Sequence, residues 1–258
     1  MLMFLLILDL NFFMADTIRV AVIGTADRQD QLNMDDFERM KVTTLCAIQE
    51  LGYNPEEVVL VSGGAPYADH VAVWLYLNGK VAGLHLHLPG KLVSDSERTY
   101  LTDSNACVTF SRYHARFKEK TGLDGMAQIK QAIDQGASVK EYSGYFERNR
   151  AVAADCDALV AVHTIHKHPS LQSSGGTAYT FKQAAVPKLY IPFRDAKRKP
   201  RDYTKLGFSE FESIGIRNVF KRIRSFTGPI NKFFKRKAED QSDSGATKRQ
   251  KSLPPSPL

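Results

Sequence analysis

Short apolar runs alternate along this chain with segments of helical period, and three of the runs lead into glycine turns. That order predicts an α/β fold: a three-layer sandwich around an open, mostly parallel sheet of about five strands. Its ligand space is expected at the carboxyl ends of the strands. The sharpest junction is VVLVSGGAPYADH, residues 58–70. Four apolar residues run into Ser62-Gly63-Gly64, and a helix is expected from near Ala68. A strand, a glycine turn and a helix start in that order aim backbone N–H groups and a helix dipole at an anion. Gly63 and Gly64 lack Cβ, which lets a ligand approach the main chain. Asp69, in the first helical turn, can favour the dipole or hydrogen-bond a ribose hydroxyl. A tight strand–helix turn capped by Asp69 would use the same residues with no ligand at all.

Taken in order, residues 1–13 (MLMFLLILDLNFF) are apolar but lack a positive amino-terminal region and a small-residue cleavage site. Interrupted by Asp9, they are too short to span a bilayer and read as an extension outside the fold, with a signal anchor as the rival. Met14 opens a domain expected to run over 14–193. Its first strand is 18–23, and Gly24-Thr25 follows. Apolar residues at Met34, Phe37, Val42, Leu45, Ile48 and Leu51 set a helix closed by Gly52. The second strand is 58–61 and the second helix 68–77. In 81–88, Leu84, Leu86 and Leu88 alternate with His85 and His87, so this is a third strand. Residues 90–144 read as an inserted helical region with helices near 104–120 and 125–135. A helix over 145–154, a strand over 158–162, a helix over 178–185 and a strand over 188–191 complete the domain. In 194–230 a basic loop precedes an amphipathic helix at 216–227, which either packs on its own domain or meets an anionic membrane or acidic partner. Residues 231–258 have almost no apolar side chains, and a disordered basic tail is expected there.

Composition narrows the function. Hydrophobic residues make up 43% and charged residues 24% of the 258 residues, as in a globular protein rather than a membrane-spanning one. Three widely spaced cysteines, Cys46, Cys107 and Cys156, with no CxxC, argue for reduced thiols and against a disulfide frame. The formal charge of +7 lies in the tail: residues 221–258 hold ten basic and three acidic side chains, leaving 25 of each sign before them. The domain itself therefore carries no electrostatic footprint of a nucleic-acid binder.

The turns at Gly24-Thr25, Gly63-Gly64 and Gly175-Gly176-Thr177 follow three strands of one doubly wound sheet. There they can converge on a single phosphate-bearing ligand. Four blocks over 18–191 carry a resemblance: VAVIGTADR, VLVSGGAPYADHVAV, FERNRAVAADCDALVAV and SSGGTAYTFKQA. Together they resemble the SLOG superfamily. This Rossmann-like group includes cytokinin-activating phosphoribohydrolases and DNA-processing proteins, and the likeness is greatest to the small bacterial YspA-related branch. The resemblance implies a bound nucleotide or a nucleotide-derived, ADP-ribose-type ligand. Thr25, Gly63, Gly64, Gly176 and Thr177, with Gly24 and Gly175 in the same turns, would supply main-chain and hydroxyl donors. Arg148, then Arg28, would meet phosphate, while Asp69 and Asn149 would read ribose or base.

One departure matters more than these matches. The phosphoribohydrolases carry a glutamate four residues beyond the third glycine of their Gly-Gly-x-Gly-Thr-x-x-Glu turn, and aligned on Gly176-Thr177 that position here is Thr180. Hydrolysis of an N-glycosidic bond needs a carboxylate to stabilise the developing cation and direct water. Only Glu147 or Asp69 offers a substitute, so binding or sensing is the leading reading. Phosphoribohydrolase or N-glycosidase activity and a DNA-processing role are the alternatives. No metal site is expected: His163, His166 and His168 share a loop without a cysteine or a firm fourth ligand. A homo-oligomer is compatible with the sequence.

In the tail, Lys235-Arg236-Lys237 and Lys248-Arg249-Gln250-Lys251 flank ten intervening residues. The arrangement resembles a bipartite nuclear import signal, in which two basic clusters on a flexible spacer occupy two acidic grooves of an import adaptor at once. A solvated basic arm that binds nucleic acid nonspecifically is the other reading. Ser256-Pro257 has the form of a proline-directed phosphorylation site. Deleting residues 248–251 from a fluorescent fusion is expected to move the protein out of the nucleus; an unchanged distribution would reject import through this tail.

Overall fold

The apolar run Arg19–Gly24 becomes the central strand (β1) of a six-stranded sheet in a computed structural model. The structure describes residues 17–96, 98–102, 105–164, 168–172, 174–193 and 210–225. After β1 come α1 (Met34–Glu50), β2 (Val59–Ser62), α2 (His70–Leu77) and β3 (Gly83–Leu88). Next are a hairpin of β4 (Lys91–Ser94) and β5 (Thr99–Thr102), α3 (Asn105–Thr121), α4 (Gly125–Asp134) and β6 (Ser138–Glu141). The domain closes with α5 (Tyr145–Ala154), β7 (Ala158–His163), α6 (Gly176–Gln183), β8 (Lys188–Pro192) and α7 (Glu210–Ser225). The strand order is β6-β3-β2-β1-β7-β8, and every neighbouring pair is parallel. The order reverses between β1 and β7, which makes their carboxyl ends the topological switch point where α/β sheets hold ligands.

The expected sandwich is present, with three strands more than the sequence pattern indicates. β6 is an edge strand whose one apolar residue, Val139, is only half-buried, so no alternation marks it. The β4–β5 hairpin is short and mostly polar. The other strands follow their apolar runs because both faces are covered: Val20, Ala21, Val22, Leu60 and Val61 are fully buried, as are Ala158 to Val162. Leu84, Leu86 and Leu88 form the buried face of β3. Opposite them, His85 Nδ1 and His87 Nε2 meet one oxygen of Asp155 at 3.1 and 2.9 Å, while Arg19 donates to the other at 2.7 Å. These contacts fasten the chain just beyond α5 to the sheet. Among the described residues no His, Cys, Asp and Glu side chains cluster so as to hold a metal ion.

Local signals set the helix starts. Asn33 caps α1 by accepting from the Asp36 N–H at 3.0 Å, and the Asp36 carboxylate accepts from the Asn33 N–H at 3.3 Å. α7 begins before the stretch in which its amphipathic period was expected. It packs on its own domain through buried Ile216, Val219 and Phe220, while Asn218 donates to Glu50 of α1 at 2.9 Å. No described helix is long and apolar enough to cross a membrane. The described residues up to Ile223 form one unit, and the second unit, 224–258, is described only for the last two residues of α7. The extension 1–13, the basic loop before α7, His166 and both basic clusters of the tail lie outside the described residues.

Gly24 is packed directly against the main chain of the neighbouring strand. A Cβ there would lie 1.9 Å from the Val162 carbonyl oxygen and 2.6 Å from the Ala68 Cβ, both on fixed elements. Overpacking of that kind costs about 1–3 kcal/mol. Gly24→Ala is therefore expected to lower the midpoint of chemical denaturation by a matching amount, and an unchanged midpoint would show that the corner is not close-packed.

Candidate functional site

The carboxyl end of β1 is tied to three other parts of the chain. The Gly24 N–H donates to Asp69 Oδ1 at 3.0 Å, and the Thr25 N–H donates to the Val162 carbonyl of β7 at 3.1 Å. The Thr25 carbonyl accepts from the Ala68 N–H at 3.2 Å, and the Thr177 hydroxyl of α6 donates to the Gly24 carbonyl at 2.7 Å. The loop beyond is folded on Asp27, whose φ is +54° and whose two carboxylate oxygens accept from the Gln31 and Leu32 N–H groups, each at 2.9 Å. That loop presents Arg28 and Gln29 to the cleft. Arg28 makes no ion pair with a described residue.

At the second corner the Ser62 hydroxyl donates to the Asp69 carbonyl at 2.7 Å and accepts from the Gly64 N–H at 3.1 Å. The Gly64 carbonyl faces His114 Nε2 at 3.0 Å. A carbonyl only accepts, so His114 carries its proton on Nε2. Burial pushes its pKa down to about 3, which keeps it neutral. Arg148, in the first turn of α5, lies directly over Gly63. Its Nη1 donates to Asp69 Oδ2 at 3.3 Å, and a Cβ on Gly63 would sit 1.8 Å from that nitrogen. The guanidinium also packs against the Tyr145 ring, 5.4 Å from its centroid. Asp69 and Arg148 are 4% and 6% exposed, and Arg148 Nε is buried without a hydrogen-bond partner. Desolvation is the main cause that pushes the Asp69 carboxyl up to about 6, against the opposing pull of Arg148 and the Gly24 N–H.

The third corner is the start of α6. Gly175 is the N-cap at φ +115° and supplies no side-chain cap. The first-turn amides of a helix have no intrahelical acceptor, and here that turn lines the cleft. Asn149 follows Arg148 on α5, 7% exposed, with its Nδ2 3.3 Å from where a Gly176 Cβ would stand.

These corners surround one cleft of ≈ 1330 Å³ at the switch point. Gly24, Thr25, Arg28, Asp69, Arg148, Asn149, Gly175, Gly176 and Thr177 all line it. Gly63 and Gly64 do not: they lie behind the Asp69–Arg148 pair, so the group that approaches the bare backbone of Gly63 is a side chain of the same protein. The donors also differ from expectation. Thr25 N–H, Gly64 N–H and the Thr177 hydroxyl are committed to the protein's own acceptors, leaving the α6 amides and Arg28 as the groups suited to an anion.

Neither carboxylate candidate stands free for chemistry. Glu147 is exposed and outside the cleft lining, because the next residues, Arg148 and Asn149, take the inward positions of α5. Asp69 lines the cleft with both oxygens bonded. Thr180, which aligns with the glutamate of the phosphoribohydrolases that the sequence blocks resemble, is 2% exposed and donates to the Gly176 carbonyl at 3.0 Å. Of the loop histidines, His163 lines the cleft and His168 caps a short turn through Ser170. The sequence reading did not single out the aromatic lining residues Tyr113, Tyr145, Phe146 and Tyr179. Tyr145-Phe146 immediately before Arg148, and Tyr179 two residues after Thr177, were the available signals.

The raised Asp69 pKa gives a pH dependence with a definite sign. The folded protein holds a proton on Asp69 between about pH 4, the ordinary carboxylate value, and about pH 6, where the unfolded chain has lost it. The resulting stabilisation is complete below that window and is lost as pH rises through about 6. The stability of the wild type relative to Asp69→Asn is therefore expected to fall between pH 4 and 6 and then level off. A flat difference across that range, measured by urea denaturation, would rule out a raised Asp69 pKa.

No family model matches the chain. A solved structure, DNA processing protein A from Streptococcus pneumoniae, is 15% identical with a TM-score of 0.41. The match covers 80% of this chain and 56% of that one, so the chain spans little more than half of it. An uncharacterized protein of Acanthamoeba polyphaga mimivirus is 31% identical over 172 residues, 64% of this chain and 90% of the viral protein. At that identity and coverage, the chain belongs to the family of the mimivirus protein.

Proposed function

We propose that the protein binds or senses a nucleotide or a nucleotide-derived, ADP-ribose-type ligand in the cleft at the β1–β7 switch point. The observation that carries the reading is the meeting of the Thr25–Arg28 loop, the Asp69–Arg148 pair and the α6 amino terminus on one cavity. The uncapped α6 amino terminus and Arg28, which makes no ion pair with a described residue, border it, and the buried Arg148 Nε has no hydrogen-bond partner among the described residues. A helix amino terminus beside a guanidinium is suited to phosphate, because open amides and a fixed cation both favour negative charge. The four sequence blocks that resemble the SLOG superfamily all contribute residues to this lining. Of the alternatives, binding fits better than N-glycosidic hydrolysis. The two carboxylates in the lining, Asp27 and Asp69, have their oxygens engaged by backbone N–H groups and Arg148. A DNA-processing role has no counterpart in the domain's balanced charge. The basic clusters of the tail support action in the nucleus through an import adaptor, or nonspecific contact with nucleic acid.

Calorimetric titration with nucleoside 5′-monophosphates and ADP-ribose tests this function. Binding is expected for the wild type, with affinity reduced at least about tenfold in Arg28→Ala, since a charge-assisted bond contributes about 1.5–3 kcal/mol. No heat with any of these ligands would reject the nucleotide site. Release of free base on longer incubation would transfer the reading to a phosphoribohydrolase.

A further inference from the structure

Beyond the anion-suited end, one wall of the cleft is aromatic and one of its rings stands in the open. Phe146, in the first turn of α5, is 63% exposed, although Arg148 and Asn149 in the same turn are buried. Its ring centroid lies 4.4 Å from that of Tyr179 on α6, with an interplanar angle of 45°. Both side chains line the cleft, and Tyr113 of α3 lines it as well. Two other large apolar side chains that stand out, Val108 and Ile214, are absent from that lining. The exposed ring therefore sits where a bound molecule would cover it. Phe146 and Tyr179 also belong to the same first turns as Arg148 and Thr177. A ligand whose phosphate meets the α6 amides therefore has this pair in the same lining to receive its other end. Aromatic faces attract flat π-systems with little regard to hydrogen-bonding pattern, which suits a nucleobase of any identity.

Resting on the nucleotide reading, we infer that Phe146 and Tyr179 form a stacking platform for the ligand's base, so that the cleft selects nucleotides over base-free sugar phosphates. Tyr179 holds the platform in place, and Phe146 supplies its solvent-facing surface. The platform sets preference for a base without choosing among bases, because stacking engages the π-face that every base has.

The test titrates the full chain with the four nucleoside 5′-monophosphates and with ribose 5-phosphate, in the wild type, Phe146→Ala and Phe146→Trp. Because Phe146 is exposed, neither substitution opens the core. The wild type is expected to bind the nucleotides roughly tenfold or more tightly than ribose 5-phosphate. Phe146→Ala should remove most of that difference with ribose 5-phosphate affinity unchanged, and Phe146→Trp should keep it. If the wild type binds ribose 5-phosphate as tightly as the nucleotides, or Phe146→Ala weakens both alike, the platform is overturned while the phosphate site stands. If neither class of ligand binds, the nucleotide site falls and the platform with it.

Discussion

A carboxylate and a guanidinium, buried together over a glycine, are the contact on which the rest of this site depends. Asp69 joins the carboxyl end of β1 to the start of α2 through the Gly24 N–H, and it joins α5 to both through Arg148. Two charges removed from water are costly, and their mutual attraction offsets that cost only when geometry and hydrogen bonds are good. Gly63 makes the geometry available, since any side chain there would occupy the space of the guanidinium. The pair is thus better understood as a registration device than as a source of stability. It fixes where the first turn of α5 lies against the sheet, and so where Asn149 and Phe146 stand beside α6.

Sheet topology and local chemistry meet at the same place. The reversal of strand order leaves space above β1 and β7, and the helices on either side diverge from it. Bonds from Gly24, Thr25 and Thr177 draw the walls of that space together using groups that would otherwise be available to a ligand. What remains facing inward is a helix amino terminus, an arginine without a partner among the described residues and a group of aromatic rings. Such a surface is selective by shape and charge, and its carboxylates are held rather than poised.

Much of the fold was legible before any coordinates. Strands buried on both faces leave continuous apolar runs, and β1, β2, β7 and β8 were visible for that reason. The helical period of α1 is local as well. β6 was not legible, because an edge strand with a single apolar residue has no pattern to display. Of the site, the residue set was readable and the division of labour was not. Gly24, Gly175 and Gly176 share the cleft lining while Gly63 and Gly64 lie behind the Asp69–Arg148 pair, because nothing local distinguishes a backbone bared for a ligand from one bared for an arginine 85 residues away.

The sequence by itself determined the order of the buried strands and of the helices between them, the places where the main chain must pass without a Cβ, and the confinement of the net charge to the tail. Each of these depends on neighbouring residues or on simple counts. Tertiary structure decided which donors face inward and which are consumed by the corners. It also decided that Glu147 points away from the cleft, Asp69 is enclosed and Phe146 is left uncovered. The physical reason is that a hydrogen-bonding group is free or taken according to what the folded chain brings within about 3 Å of it, and that partner is commonly remote in sequence.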